Sequence, residues 1–239
     1  MTFEPIAEIP TGPVEVPALV RRVVRAEPVA VWVNELGGVT FRDGDRFVKF
    51  NPPNPEVDLR DEAERLDWLR GRHPVPEVVL VDQDDSGQVL VTRALPGEGA
   101  VTPRWRSEPL IAARAIGRGL RRLHDALPVW ECPFDWSAES RGGIDPPPID
   151  RLVVCHGDAC SPNTLIGDDG EFAGHVDVGA LGVADRWADL AVASMSLDWN
   201  FDADWESEFW DAYGIAPDPV RIDYYRRLWD LDDAERHPS

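Results

Sequence analysis

His156-Gly157-Asp158 is followed by Asn163, five positions after the aspartate, and Asp177-Val178-Gly179 begins fourteen residues past that asparagine. Well upstream stand a lysine, Lys49, and a glutamate, Glu62. Transfer of a phosphoryl group to an alcohol needs little covalent chemistry from a protein. It needs a carboxylate to orient the hydroxyl and take its proton, oxygen ligands for Mg²⁺, and a cation on the phosphates. Asp158 can be that carboxylate. Asn163 and Asp177 offer hard oxygen atoms of the kind Mg²⁺ takes beside phosphate oxygens and water. Lys49 offers the cation, and Glu62 can hold it by an ion pair.

The lysine stands out in its composition. Of 24 Lys and Arg residues, Lys49 is the one lysine. A compact ammonium and a flat guanidinium fork are not interchangeable where a point charge is wanted. Taken singly, the other groups have ordinary readings. An aspartate in a glycine-containing loop is usually a turn residue, a lone glutamate on a helix is solvated, and His156 reads as a hydrogen-bonded structural imidazole. Their order is more specific: strand Lys, helix Glu, linker, His-x-Asp-x-x-x-x-Asn, strand, Asp-x-Gly. It matches the protein-kinase signature set in order and in secondary-structure context.

The elements that must carry these groups can be read from periodicity and turn residues. Val29–Val33, Val39–Arg42 and Arg46–Phe50 read as a three-stranded meander, with Asp43-Gly44-Asp45 as a tight hairpin and Lys49 on the third strand. Residues 56–70 repeat Leu59, Ala63, Leu66 and Leu69 on one helical face, and Gly71 and Pro74 end that helix. Two more strands fit Glu77–Val81 and Gln88–Thr92, and Leu95-Pro96-Gly97 reads as a hinge. Residues 108–127 are helical, with Ile116, Leu120, Leu123 and Leu127 on one face, and 128–149 is proline-rich and irregular. Short strands at Leu152–Cys155, Thr164–Ile166 and Phe172–Val176 bracket the two motif loops, and helices follow from Asp185. The fold expected is α+β and bilobal: an antiparallel sheet lobe with one helix over residues 1–93, and a larger, mainly helical lobe over 94–239.

A chain of 239 residues can bury a full core. Its formal charge of −20 argues against nucleic acid, whose phosphates it would repel, and suits a small cationic ligand. No stretch approaches the roughly 20 apolar residues that span a bilayer, and Met1–Glu8 has no basic start and apolar run of a secretory signal. Three cysteines, Cys132, Cys155 and Cys160, are too few for a disulfide framework and point to a reducing cytoplasm. They contain no Cys-x-x-Cys pair for zinc. Walker-type, dinucleotide-binding and serine-hydrolase motifs are absent from the sequence.

The motif segments resemble one family in particular. His156-Gly-Asp-Ala-Cys-Ser-Pro-Asn163, His175–Ala191, Glu62–Leu69 with Pro74-Val-Pro76, Tyr213-Gly-Ile and Tyr224-Tyr225 are similar to the aminoglycoside 3′-phosphotransferases. The similarity spans most of residues 29–231 and is densest over 152–191. The resemblance implies a two-lobed kinase-like fold that binds ATP, or GTP, with Mg²⁺. It implies Asp158 as catalytic base, Asn163 and Asp177 as Mg²⁺ ligands, Lys49 on the α and β phosphates, and Glu62 as the partner of Lys49. Gly37 and Gly38, in the loop Asn34–Thr40, would cover the phosphates. Thr92 and Ala94 would meet adenine through backbone groups, and Asp189 would brace the catalytic loop. The implied substrate is a cationic aminoglycoside, phosphorylated at its 3′-hydroxyl and so inactivated as an antibiotic.

Three departures bear on the acceptor. The loop Asn34-Glu-Leu-Gly-Gly-Val-Thr40 lacks the usual serine, and Ala180 stands where many members have arginine. The segment between His124 and His156 is only 31 residues, shorter than the family's helical insertion. Acidic residues left to meet a cation are Glu139, Asp198 and Asp230, with Glu131, Asp135, Asp145, Asp150 and Asp202 as further candidates. The chain also continues past Asp230, so a terminal carboxylate cannot serve there. Two other readings follow: a kinase of another cationic or polar metabolite or antibiotic, and a catalytically silent nucleotide-binding protein. The sequence is compatible with a monomer or a homodimer.

Overall fold

The computed structural model describes residues 7–8, 10–34, 36–54 and 57–236. It is a mixed α+β fold that divides into two compact units, Met1–Arg70 with Pro76–Leu95, and Gly71–Val75 with Pro96–Ser239.

The first unit is built on one antiparallel sheet. Its elements are β1 (Ala7–Glu8), α1 (Ala18–Val23), β2 (Val29–Asn34), β3 (Val39–Asp43), β4 (Arg46–Asn51), α2 (Leu59–Leu69), β5 (Val78–Asp84) and β6 (Gly87–Arg93). The strand order is β1-β2-β3-β4-β6-β5, which places β4 at the interior with β3 on one side and β6 on the other. Alternation decides which face is buried. Val39, Phe41, Val48, Phe50, Val89 and Val91 turn to one side and pack with Leu19 and Val20 of α1. The helix α1 has no sequence signal strong enough to predict it. The turn after it is held from elsewhere: the Asp43 carboxylate accepts the N–H groups of Arg25 and Ala26 and pairs with Arg46.

α2 starts where expected for physical reasons. Asp58 caps it, accepting from the Arg60 N–H at 2.9 Å, and Asp61 and Glu62 sit in the first turn, where the helix dipole favours acids. Leu59, Ala63, Leu66 and Leu69 are buried, as the periodicity requires, and so is Glu62.

The second unit contains β7 (Glu98–Gly99), α3 (Pro103–Arg106), α4 (Pro109–Ala126), β8 (Leu152–Cys155), β9 (Thr164–Ile166), β10 (Phe172–His175), β11 (Gly182–Asp185), α5 (Trp187–Asn200), α6 (Glu206–Tyr213) and α7 (Pro219–Arg236). Proline at the first turn of α4 pre-sets the backbone for its start. Ile116, Leu120 and Leu123 form its buried face. At Gly117 the backbone of α6 comes so close that an added Cβ would lie 2.6 Å from the Phe209 carbonyl oxygen. α5 is buried nearly all round from Trp187 to Leu197 and forms the centre of this unit. Two small sheets, β10-β9-β7 and β11-β8, frame the motif loops. The proline-rich stretch is irregular, as expected, but it is anchored. Trp136 is buried, and its backbone N–H donates to the Val183 carbonyl while Val183 donates to Phe134.

Candidate active site

In the first unit, Lys49 projects from the interior strand β4 and its Nζ reaches Glu62 Oε2 of α2 at 2.8 Å. Glu62 is largely buried, with a side chain 9% exposed against 22% for Lys49. A buried carboxylate is tolerable only when paired, so the helix face that buries Glu62 requires the lysine as its partner.

The loop between β2 and β3 is closed on itself. Asn34 accepts the Gly37 N–H at its carbonyl and the Gly38 N–H at its side chain, at 3.1 and 2.7 Å. Gly37 has φ +77, and a Cβ at Gly38 would overlap the Asn34 and Asn51 side chains, so glycine is required at both. A phosphate approaching these N–H groups must exchange existing hydrogen bonds. Glu35, inside this loop, lies outside the described residues. Thr92 is buried on β6. The Ala94 N–H is donated to the Asp45 carbonyl at 2.9 Å, so in this arrangement a base would meet Ala94 through its carbonyl oxygen.

In the second unit the two motif loops are brought together. Between β8 and β9, Gly157 takes φ +84, a conformation open mainly to glycine. An added Cβ there would overlap the Ala180 carbonyl oxygen, next to the second motif. The Trp136 Nε1–H donates to the Gly157 carbonyl at 3.0 Å. His156 is fully buried, and its Nε2 pairs with the Val176 carbonyl at 3.0 Å, one residue before Asp177. The Val176 N–H in turn donates to the Asn163 carbonyl at 3.0 Å. His156 thus acts as a structural imidazole that ties the two loops. Asp177 has φ +58, a left-handed conformation that Asp tolerates better than most side chains, and this backbone cost is located at the motif itself.

Asp158 is half-buried. Asn163 Nδ2 donates both to its backbone carbonyl, at 2.9 Å, and to its Oδ2, at 3.0 Å. Its other carboxylate oxygen, Oδ1, is buried and has no hydrogen-bond partner among the described residues. Burial, and then the negative charge of Asp177, push the Asp158 carboxyl above the usual carboxylate range. An acceptor-only oxygen held in this way suits a hydroxyl donor or a cation. The donor set also fits Mg²⁺, because the amide nitrogen of Asn163 is committed to Asp158 and its oxygen is the ligand end. With the exposed carboxylate of Asp177, the ligands are hard oxygens.

Asp189, on α5, is almost wholly buried. It accepts the N–H of His156 at 2.6 Å and of Gly157 at 2.9 Å, together with His124 Nε2 at 2.9 Å. Burial opposes its ionisation, but the hydrogen bond from His124, with the Gly157 N–H, holds it below the usual range. Motif spacing alone assigns neither His124 nor Tyr213, which contacts it, to this site. A signal does exist: His124 lies four residues after Leu120 and three before Leu127, on the apolar stripe of α4, where an ionisable group needs a partner.

The acidic candidates for a cation are scattered. Glu139, Asp198 and Asp230 are exposed, on a turn, on α5 and on α7. The Asp198 carboxyl is pushed up by burial and by Glu206 and Asp204. Glu131, Asp135 and Asp150 already serve Arg72, Ser137 and the pair Arg186 and Trp187.

Among the described residues, no helix is long and apolar enough to cross a membrane. The profile of the phosphotransferase enzyme family matches residues 31–151 and 145–225. The chain is 34% identical to a streptomycin 3′′-kinase of Streptomyces griseus, over 84% of this chain and 90% of that protein. A crystal structure of a type VIII aminoglycoside-3′-phosphotransferase superposes with a TM-score of 0.74 at 31% identity, covering 90% of this chain and 96% of that one. A Streptomyces rimosus aminoglycoside phosphotransferase, solved with ADP and streptomycin, gives a TM-score of 0.70 at 28% identity, with the same coverage.

Proposed function

The chain belongs to the phosphotransferase enzyme family, and from that premise we propose that it transfers the γ-phosphoryl group of ATP to a hydroxyl of an aminoglycoside. The observation that carries this reading is the Asp158 carboxylate, with Oδ2 fixed by Asn163 and Oδ1 buried without a partner among the described residues. Asp158 would accept the hydroxyl proton as the oxygen attacks. Its Oδ2 is fixed by Asn163, which leaves the buried Oδ1 as the atom that would take the proton. Asn163 and Asp177 would hold Mg²⁺, which when bound neutralises phosphate charge. Lys49, oriented by Glu62, would hold the α and β phosphates, while Gly37 and Gly38 lie over them and Thr92 and Ala94 meet the base. Glu139, Asp198 and Asp230 would meet the cationic substrate, whose phosphorylation would confer resistance. Three cysteines outside any disulfide fit a reducing cytoplasm.

The 3′-hydroxyl is our first choice of acceptor. A second reading is the 3′′-hydroxyl of streptomycin, favoured by the 34% identity to a streptomycin 3′′-kinase. ADP release with MgATP across a panel of aminoglycosides separates them. Turnover that needs the 3′-hydroxyl supports the first and turnover on streptomycin the second. Absence of turnover on the whole panel, with ATP still bound, redirects the search to other polar acceptors.

A further inference from the structure

Two asparagine side chains converge on Gly38, and one of them has nothing to bind. Asn34 closes the loop from the end of β2. Its N–H donates to the Gly38 carbonyl at 2.9 Å, its carbonyl accepts the Gly37 N–H, and its Oδ1 accepts the Gly38 N–H at 2.7 Å. Asn51 ends β4. Side chains alternate along a strand, so Asn51 shares a face with Lys49, two residues before it. The register pairs Thr40 with Lys49 and Val39 with Phe50, and one step further sets Asn51 beside Gly38.

Asn51 is 5% exposed, and its Oδ1 has no hydrogen-bond partner among the described residues. A buried amide oxygen left without a donor is costly. Gln88, its neighbour on β6, is turned to the start of α2, where Oε1 accepts the Leu59 N–H at 2.8 Å and Nε2 donates to Asp58 at 3.1 Å. On the other side, a Cβ added at Gly38 would overlap Asn51 Oδ1 and lie 2.7 Å from Asn34 Nδ2. The orphan acceptor and an amide donor thus point to the same spot, which glycine leaves open.

Donor counts then dictate an exchange. Gly38 has one N–H, and Asn34 Oδ1 holds it. A phosphate oxygen only accepts, so it must take that N–H from Asn34. The Asn34 amide then needs a new partner, and Asn51 Oδ1 is the acceptor at hand. Turning toward Asn51 replaces the bond Asn34 gives up and satisfies the orphan oxygen. We infer that Asn34 and Asn51 form an amide switch beneath the phosphate loop. Asn34 holds Gly38 closed until a phosphate takes its N–H, and Asn51 is the positioning residue that receives Asn34 once the nucleotide is bound. What the switch recognises is the polyphosphate of a nucleotide, not its base. The inference rests on reading Asn34–Thr40 as the loop that covers the phosphates.

Asn51→Leu, Asn34→Ala and the double variant test it, each titrated calorimetrically with MgATP and with adenosine, which has no phosphate. Asn51→Leu should weaken MgATP about tenfold, the worth of one hydrogen bond, and change adenosine by less than about twofold. Its melting temperature should not fall, because an unpaired carbonyl gives way to an apolar group of similar size. A residue with a purely structural role would not separate stability from phosphate binding in this way. In the Asn34→Ala background the same change should weaken MgATP by less than about twofold, since no Asn34 amide remains to be received. Unchanged MgATP affinity in a folded Asn51→Leu protein would overturn the inference. So would an equal loss for adenosine, or additive losses in the double variant. If leucine prevents folding, side-chain amide NMR of the wild-type protein decides. The Asn34 Nδ2 protons should shift and exchange more slowly with MgATP but not with adenosine, and unchanged signals overturn the switch. Wild-type protein that binds no MgATP overturns the nucleotide reading and the inference with it. The other adverse outcomes, in protein that binds MgATP, overturn the inference alone.

Discussion

The side-chain amide of Asn163 clamps Asp158 twice, donating at 2.9 Å to its carbonyl and at 3.0 Å to its carboxylate. This bond leaves the second carboxylate oxygen for a reacting hydroxyl. Asp158→Ala should therefore lower kcat by about 10²–10⁴-fold while ATP affinity, measured by calorimetric titration, stays within about twofold. A loss of only a few-fold in kcat would remove Asp158 from the role of base.

Lys49 and Glu62 are coupled across sheet and helix at 2.8 Å. Lys49→Met should weaken MgATP binding by about tenfold or more, and Lys49→Arg should fail to restore it, because a forked guanidinium does not replace a point charge beside Glu62. Glu62→Gln should produce a smaller loss of the same kind. Titration of nucleotide into each variant checks this, and full affinity in the arginine variant would show that the lone lysine has no special role.

His73 Nε2 lies 3.0 Å from His175 Nδ1, and the two rings stack at 5.1 Å. Burial, and then the positive charge of Arg122, hold His73 down to about 3. The unfolded chain, with an ordinary histidine, takes up a proton below about pH 6.5 that the folded chain refuses. Stability from this site is thus complete above about pH 6.5 and lost as the pH falls towards 3, with a limiting slope of about 1.4 kcal/mol per pH unit. Urea midpoints between about pH 7.5 and 5 should fall accordingly, and His73→Leu should flatten the curve. Equal slopes in the two proteins would show that His73 is not the group responsible.

Gly157→Ala places a Cβ against the Ala180 carbonyl in a backbone conformation, φ +84, that alanine rarely adopts. Thermal unfolding should report a loss of about 1–3 kcal/mol. The damage should be larger in kcat than in ATP affinity, because the displaced residue adjoins Asp158 and not Lys49.

Elements with strong local signals are legible in the sequence. The β2-β3-β4 meander has its hairpin at Asp43-Gly44-Asp45, α2 has its Leu59, Ala63 and Leu66 face, and α4 has its Ile116, Leu120 and Leu123 face. β11 escapes such a reading because Gly182-Val-Ala-Asp185 is four residues without alternation, and only its pairing to β8 makes it a strand. α1 escapes it because its six residues are held by Leu19 and Val20 in the core, and the turn after it by Asp43, contacts distant in sequence. The same reason hides His124 and Tyr213. Their 89-residue separation is closed by helix packing, which no local pattern records.

Lys49 sits on a strand with hydrogen-bonded neighbours on both sides, opposite Thr40 on one and Leu90 on the other. Val48 and Phe50, beside it, face the opposite way into the core. A slip of one residue in either pairing would send the lysine into oil and the two hydrophobic side chains out of it. The frame that positions Lys49 for its pair with Glu62 is therefore policed by the apolar core. A misthreaded chain would be discarded as unstable before it could persist as a folded but inactive enzyme.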